Sequence, residues 1–254
     1  MTDPETTAAR VIELLDLTVL SDAPGADAIS DLCTRARSPF GPVAAVCIWP
    51  HFVAQAKSEL AGSPVRVATV ANFPTGDEDP AAVAATIAAA LANGADEIDL
   101  VMPWRALLAG DADRANRLIS ASRSQIPEGR VLKVILETGE LKTSDMIRSA
   151  SRLALDAGAD FIKTSTGKVA VNATPEAARI MITAIREHGG QAGFKAAGGI
   201  RTVADAAAYL AVADDIMGPD WAAPGTFRFG ASGLLDDVLA TLGAGDSATG
   251  STGY

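Results

Sequence analysis

Residues 94–99 read GADEID and residues 158–163 read GADFIK, so one pattern occurs twice, 64 positions apart. That separation corresponds to about two strand–helix units. Asp99 and Lys163 end the two copies and therefore occupy equivalent positions on two strands. The repeat predicts an α/β protein built from successive strand–helix units.

The rest of the chain continues this alternation of short β-branched runs with longer amphipathic or alanine-rich runs. Eight strands joined by helices, without a break in composition, predict one (β/α)8 TIM barrel rather than an open sheet. An additional N-terminal helix near Pro4 to Leu15 is expected to close the bottom of the barrel. The predicted strands are Asp16–Leu20, Val43–Trp49, Val65–Ala71, Glu97–Met102, Val131–Glu137, Phe161–Ser165, Gly193–Ala197 and Phe227–Ala231.

Three of the predicted helices begin after a recognisable capping residue. These residues are Asp79, Thr143 and Thr174, and proline follows two of them. A side-chain oxygen ahead of a proline in the first turn is typical of a helix start. We expect one barrel domain over residues 1–242 and a flexible tail, rich in Gly, Ser, Thr and Ala, over residues 243–254.

The composition argues against several classes of protein. The chain has 254 residues, with 21 Lys and Arg against 31 Asp and Glu, and a net charge of −10. No basic tract is available to neutralise phosphates, so we expect no nucleic-acid partner. No uncharged helical run reaches the roughly 20 apolar residues that a bilayer span requires, so no membrane partner is expected. The acidic, polar start differs from a secretory signal and favours a cytoplasmic location.

The sequence does not predict a disulfide framework or a metal site. Cys33 and Cys47 are the only cysteines, and His51 and His188 are the only histidines and lie far apart. In a reducing compartment both cysteines are expected to pack as small apolar side chains. We therefore expect chemistry without a metal or a cofactor.

Strand alternation places charged side chains inside the predicted barrel. On the fifth strand Lys133 and Glu137 alternate with apolar residues, so both should face the barrel axis, where they are expected to form a supporting ion pair. The same alternation predicts three more inward charges, Asp99, Lys163 and Lys195. Buried charges are costly unless they pair or take part in chemistry.

Lys163 is the first candidate for catalysis. Burial and the nearby cation of Lys195 both favour a neutral amine. Such an amine attacks a carbonyl carbon to form a Schiff base, and the resulting iminium accepts the electron pair of a breaking carbon–carbon bond. Asp99 would move protons through a water molecule, and Lys195 would join the relay or bind an anion. The alternative is a purely structural Asp99–Lys163 ion pair.

Three glycine-containing loops follow the last three predicted strands. They are residues 165–168, 195–202 and 230–233, and the third leads into an apolar helix. Glycines let backbone N–H groups approach a phosphate closely, and a helix N-terminus adds a favourable dipole. Phosphate sites recur after strands seven and eight of such barrels. We therefore expect an anion site at this end of the barrel.

These segments resemble the motifs of the deoxyribose-phosphate aldolase family. The resemblance extends from Asp16 to Tyr254 and includes GADFIKTSTG at 158–167, VLKVILETGEL at 131–141, GFKAAGGIRT at 193–202, RFGAS at 228–232 and residues 94–101. It implies a metal-free class I aldolase that reversibly cleaves 2-deoxy-D-ribose 5-phosphate to acetaldehyde and D-glyceraldehyde 3-phosphate. The expected partners are therefore small phosphosugar and aldehyde substrates.

The resemblance also implies a role for individual residues. Lys163 corresponds to the Schiff-base lysine, Asp99 to the proton-relay carboxylate and Lys195 to the second active-site lysine. Members of the family are often homodimers, although no surface patch in this sequence identifies an interface. The remaining implied site residues are Thr18 and Thr166 in the pocket, and Gly167, Lys168, Gly198, Gly199, Arg201, Ser232 and Gly233 around the phosphate.

The sequence departs from the family pattern at three positions. Gly233 stands where members with a similar motif commonly carry a second serine, so we expect weaker phosphate discrimination. Ser21 replaces a familiar asparagine, and Trp49 replaces a tyrosine or asparagine. Neither of these two changes predicts a definite effect on substrate range.

Two other functions share part of this pattern. Another Schiff-base barrel, such as a transaldolase or a keto-acid aldolase, would use Lys163 with a different donor. A non-catalytic phosphosugar-binding barrel would bind ligand without forming a covalent adduct, although the set of Asp99, Lys163 and Lys195 argues against it.

The terminal Tyr254 resembles a tyrosine that ends the mobile tail of some family members and assists proton exchange at the enamine carbon; a surface tail without function is the alternative. If Tyr254 assists, its deletion should slow the exchange of solvent deuterium into acetaldehyde, followed by NMR, more than it weakens binding. An unchanged exchange rate would contradict this role.

Overall fold

The computed structural model describes residues 3–243, in which eight parallel strands close into one barrel. Each strand pairs with the next along the chain, and β8 pairs with β1. The predicted (β/α)8 barrel is confirmed. Strands β1 to β8 are Leu15–Val19, Ala45–Ile48, Arg66–Ala71, Glu97–Val101, Val131–Ile135, Phe161–Lys163, Gly193–Ala197 and Phe227–Ala231.

Helices surround this barrel, and the predicted N-terminal helix is present and packs against α10 and α11. Helices α1 to α11 are Pro4–Glu13, Ala26–Arg35, Val53–Glu59, Pro80–Ala92, Trp104–Leu108, Ala112–Gln125, Thr138–Leu141, Ser144–Asp156, Pro175–Glu187, Val203–Met217 and Leu234–Thr241. Two short elements were not predicted from the sequence: the small hairpin of Arg37–Ser38 and Gly41–Pro42, and the 3-10 turn Pro50–Phe52.

The three predicted capping residues act as helix caps. The side chains of Asp79, Thr143 and Thr174 each accept a backbone N–H from the first turn of α4, α8 and α9, at 2.9, 3.3 and 3.1 Å. Each bond satisfies an N–H that has no partner within its helix. These caps fix where each helix begins after the loop that precedes it.

The main core lies between the outer face of the sheet and the helices. Val46, Ile98 and Val134 are fully buried and, by alternation, point outward from the barrel. Burying such a side chain contributes roughly 1.5–3 kcal/mol. Cys33 and Cys47 are buried free thiols. The apolar core therefore holds the barrel closed, and the charged side chains occupy its interior.

The fifth strand ends earlier than the sequence analysis predicts. The prediction extends to Glu137, whereas β5 ends at Ile135. Glu137 has φ 60° and ψ 58°, a left-handed conformation that cannot continue a strand. The chain turns there into the short helix α7.

The inner packing relies on one glycine. Gly193 on β7 pairs with Phe161 on β6, and a Cβ atom at residue 193 would lie 2.3 Å from the Phe161 ring. We therefore expect Gly193→Ala to lower the free energy of unfolding by about 1–3 kcal/mol, measured by urea denaturation. Gly225→Ala is the control, because a Cβ there meets nothing within 4 Å. An equal effect of both substitutions would contradict this account.

Candidate active site

Among the described residues, the barrel strands contribute seven charged side chains to the interior, each at most 4% exposed. Three are acids and four are bases, and six of the eight strands supply them. The seven are Asp16, Glu97, Asp99, Lys133, Lys163, Lys195 and Arg228. Parallel strands with matched register bring these charges within contact distance.

Asp99 lies at the centre of this cluster. Its Oδ2 is 2.8 Å from the Nζ of Lys163 and 2.8 Å from the Nζ of Lys195. Its Oδ1 is 3.0 Å from the Nζ of Lys133. The structure thus brings together Asp99, Lys163 and Lys195, the three residues that the sequence analysis singled out.

Asp16, Glu97 and Arg228 complete the cluster, and none of the three was predicted from the sequence. Asp16 lies 2.5 Å from both Lys195 Nζ and an Arg228 guanidinium nitrogen. Glu97 Oε1 is 3.0 Å from Arg228, and Glu97 also contacts Lys133. The signal was available, since Glu97 lies two residues before Asp99 and so points inward by the same alternation.

The predicted ion pair between Lys133 and Glu137 is wrong. Lys133 contacts Asp99 and Glu97 on the neighbouring strand. Glu137 turns away in its left-handed conformation, and its carboxylate accepts hydrogen bonds from the backbone N–H and the hydroxyl of Thr166, at 3.2 and 2.6 Å. Burial raises the pKa of Glu137, although the bonds from Thr166 oppose the shift.

The charge states of the central groups follow from this pairing. Burial alone would raise the pKa of Asp99, but the ammonium groups of Lys133, Lys163 and Lys195 outweigh burial and hold the pKa well below its ordinary value. Despite the same burial, the pKa of Asp16 is lowered, mainly by Lys195. Burial would lower the pKa of Lys195, but the carboxylates of Asp16 and Asp99 raise it. Both aspartates are therefore carboxylates at neutral pH, and Lys195 is an ammonium.

Lys163 differs from the other two lysines in its surroundings. Within the described chain, Lys133 contacts three carboxylates and Lys195 contacts two, whereas Lys163 contacts only that of Asp99. Of the three lysines, Lys163 alone lines the cavity at the carboxyl ends of the strands. Its amine is therefore both the least ion-paired and the one that a ligand can reach.

That cavity has a volume of about 720 Å³ and contains most of the predicted site. Asp99 and Lys195 lie deeper in the barrel than Lys163. Asp99 contacts the Lys163 amine directly, and Lys195 contacts the same Asp99 oxygen. Ser21 also lines the wall. The predicted residues found there besides Lys163 are Thr18, Thr166, Gly167, Lys168, Gly198, Gly199, Arg201, Ser232 and Gly233.

The end of the cavity beyond Lys163 is built from glycine loops and cations. Gly198 has φ +86°, and a Cβ atom there would lie 2.7 Å from Asn172. Gly233 precedes helix α11, which begins at the cavity edge. The ammonium of Lys168 lies 3.1 Å from the exposed carboxylate of Asp22. Small residues, a helix start and a cation can together surround an anionic group.

Of three further residues considered in the sequence, the structure places Cys47 and Trp49 but not Tyr254. Cys47 Sγ is 3.9 Å from Asp99 Oδ2, and burial raises the pKa of its thiol. The indole N–H of Trp49 donates to the carbonyl of Ser21 at 2.9 Å. Tyr254 lies outside the described residues, so its proposed role stays a prediction.

Within residues 3–243, no three His, Cys, Asp or Glu side chains form a group arranged to hold a metal ion. No helix in this part of the chain is long and apolar enough to cross a bilayer.

Comparison with known proteins agrees with this geometry. Residues 10–238 match the model of the DeoC/LacD family aldolases. A deoxyribose-phosphate aldolase of Agrobacterium fabrum is 54% identical over 252 residues, which cover 99% of this chain and 97% of that protein.

Solved structures show the same fold. A Toxoplasma gondii protein provisionally named a deoxyribose-phosphate aldolase superimposes with a TM-score of 0.86 at 27% identity, covering 96% of each chain. The tetrameric deoxyribose phosphate aldolase of Aeropyrum pernix gives a TM-score of 0.74 at 24% identity, covering 97% of this chain and 94% of that one. The second likeness is evidence for the fold alone.

The cluster predicts the effect of removing one buried carboxylate. Asp16→Asn leaves Lys195 and Arg228 each with one carboxylate partner fewer, so we expect a loss of about 3–5 kcal/mol in the free energy of unfolding at pH 7. The pKa of folded Asp16 lies below its unfolded value, so the Asp16 contribution is complete above about pH 4 and declines at lower pH. The difference between wild type and variant in urea denaturation should shrink below that pH. A constant difference would contradict the assignment.

Proposed function

This chain belongs to the DeoC/LacD family of aldolases, and on that premise we propose that it reversibly cleaves 2-deoxy-D-ribose 5-phosphate to acetaldehyde and D-glyceraldehyde 3-phosphate through a Schiff base on Lys163. The observation that carries the proposal is the position of the Lys163 amine. It faces the cavity and contacts a single carboxylate, which two other lysines share.

The electrostatics of the cluster support Lys163 as the nucleophile. Three ammonium groups around one Asp99 carboxylate repel one another, and Lys163 has the fewest carboxylates to compensate. Lys163 is therefore the lysine that the cluster holds through the fewest ion pairs. Lys195, held as an ammonium by Asp16 and Asp99, maintains that repulsion near neutral pH.

In the cleavage direction, the amine of Lys163 adds to the aldehyde carbon of the open-chain sugar, and loss of water gives an iminium. The iminium accepts the electron pair of the bond between C2 and C3 as the C3 hydroxyl loses its proton. This step releases D-glyceraldehyde 3-phosphate and leaves an enamine on Lys163. Protonation of the enamine carbon and hydrolysis then release acetaldehyde and regenerate the amine.

Asp99 and Lys195 are assigned to the proton transfers in this sequence. The Asp99 carboxylate lies 2.8 Å from both lysine amines, so it can accept a proton from one and return it through an ordered water molecule. Because the iminium supplies the electron sink, the route requires no metal. Tyr254 is a further candidate for proton exchange at the enamine carbon.

The phosphate of the substrate is assigned to the glycine end of the cavity. Gly167, Gly199 and Ser232 line that end, and Lys168 and Arg201 supply positive charge. Binding the phosphate there would hold the sugar chain along the cavity with its aldehyde at Lys163. Gly233 lacks the hydroxyl of a serine, so we expect the phosphate to contribute less to discrimination.

The proposal includes the organisation and setting of the enzyme. We assign residues 1–242 to one catalytic barrel; the tail expected over residues 243–254 lies, apart from residue 243, outside the described residues. The family resemblance supports a homodimer as the assembly, and the substrates, which are sugar phosphates and small aldehydes, support action in the cytoplasm.

The decisive test is borohydride trapping in the presence of acetaldehyde. Reduction should fix a two-carbon adduct on the peptide that contains Lys163, detected by mass spectrometry, because the iminium forms only on a reactive amine. Lys163→Met should lose both the adduct and cleavage of the sugar phosphate. Lys142→Met, which removes an exposed lysine outside the cavity, should retain both. An adduct on another lysine, or none on folded protein, would overturn the mechanism.

A further inference from the structure

Glu137 occupies a conformation and an environment that the proposed reaction does not explain. It is fully buried, yet it has φ 60° and ψ 58°, where residues other than glycine are rare. Such strain persists only where surrounding contacts over-determine it, and it is commonly found beside functional sites. Glu137 lies at the turn between β5 and helix α7, one strand away from Lys163.

The Glu137 carboxylate holds one residue of the cavity wall by two separate bonds. Oε1 accepts the backbone N–H of Thr166 at 3.2 Å, and Oε2 accepts its hydroxyl at 2.6 Å. The Thr166 hydroxyl oxygen in turn accepts the backbone N–H of Lys168 at 3.1 Å. A continuous chain of hydrogen bonds therefore leads from Glu137 to Lys168 at the phosphate end.

The same turn contacts the loop at two further points. The N–H of Thr138 donates to the carbonyl of Thr164 at 2.9 Å. A Cβ atom at Gly139 would lie 1.9 Å from the carbonyl oxygen of Val171, so only glycine permits the observed approach. Residues 137–139 thus support the segment 164–171 from its start to its end.

The supported segment joins the two ends of the proposed site. It follows Lys163 directly, and three of its residues, Thr166, Gly167 and Lys168, line the cavity. Gly167 has φ +84° and no side chain to stiffen the loop. The spacing between the Lys163 amine and the Lys168 backbone therefore depends on contacts from outside the segment.

We propose that Glu137 is a positioning residue that holds the Thr166–Lys168 loop at a fixed distance from Lys163 and thereby sets the preference for phosphorylated over unphosphorylated substrates. The inference rests on the proposed function and extends it to a residue that lies outside the cavity wall. A carboxylate suits the role because both of its oxygens accept bonds, whereas the side chain of glutamine offers one acceptor.

Steady-state kinetics with 2-deoxy-D-ribose 5-phosphate and with unphosphorylated 2-deoxy-D-ribose test the proposal. For Glu137→Ala we expect kcat/KM for the phosphorylated sugar to fall at least about tenfold, mainly through a higher KM. This magnitude is the one expected when a hydrogen bond to a charged group is lost. The value for the unphosphorylated sugar should stay within about twofold. The kcat/KM of Glu137→Gln for the phosphorylated sugar should lie between those of the wild type and Glu137→Ala. If Glu137→Ala does not fold, Glu137→Gln is used in its place.

A double-mutant cycle identifies the route of the effect. If Glu137 acts through Thr166, then Glu137→Ala should add little to the loss already caused by Thr166→Val. Glu140→Gln is the matched control, because it alters a carboxylate on the same turn that makes no side-chain bond within the described residues, and both substrates should be unaffected. The proposal would be overturned if Glu137→Gln left the ratio of kcat/KM for the two sugars unchanged, whether both values fell equally or neither changed.

Borohydride trapping separates this inference from the proposed function. Trapping of acetaldehyde on Lys163 should persist in Glu137→Gln, because the amine and its partners are unaltered. If the wild type neither traps acetaldehyde nor cleaves the sugar, the proposed function fails, and binding of inorganic phosphate measured by calorimetry then decides the role of Glu137. Weaker phosphate binding in Glu137→Gln would support the positioning role, and equal binding would overturn it.

Discussion

The ion pairs of the Asp99 carboxylate are the interaction on which the rest of this structure depends. A barrel interior excludes water, so each lysine placed there needs a carboxylate within contact distance. Asp99 serves three lysines from three strands, and Asp16 and Glu97 hold the remaining positive charge. Because these contacts span the barrel, a one-residue shift in the register of a strand would move its charged side chains to the outer face, among the apolar side chains of the core.

This arrangement separates two tasks within one fold. Strand residues hold the charges, and their positions are set by a closed sheet with apolar packing on its outer face. Loop residues after β6, β7 and β8 form much of the cavity wall, and many of them are glycines. Lys163 belongs to both parts, since it lies at the end of β6 and its amine faces the cavity. Lys163 therefore links the buried charge cluster to the cavity wall.

The sequence predicted the barrel, its strands and four of the seven interior charges because alternation along a strand is a local property. Asp16 and Arg228 follow the same alternation, but their importance depends on partners more than 170 residues away in the chain, which no local pattern identifies. The expected Lys133–Glu137 pair failed for a related reason. Alternation gives the face of a strand but not where the strand ends, and the left-handed turn at Glu137 moves its carboxylate to the next loop.

The contact between Lys168 and Asp22 has a consequence for ligand exchange. Asp22 is almost fully solvent-exposed and lies on the loop after β1, so releasing it from Lys168 costs little. An arriving anion would displace the Asp22 carboxylate from Lys168. Because one negative group replaces another, the net charge at the cavity mouth would change less than if the anion bound an unpaired lysine. In a protein with net charge −10, such a resident counter-ion would lower the attraction of Lys168 for weakly bound anions.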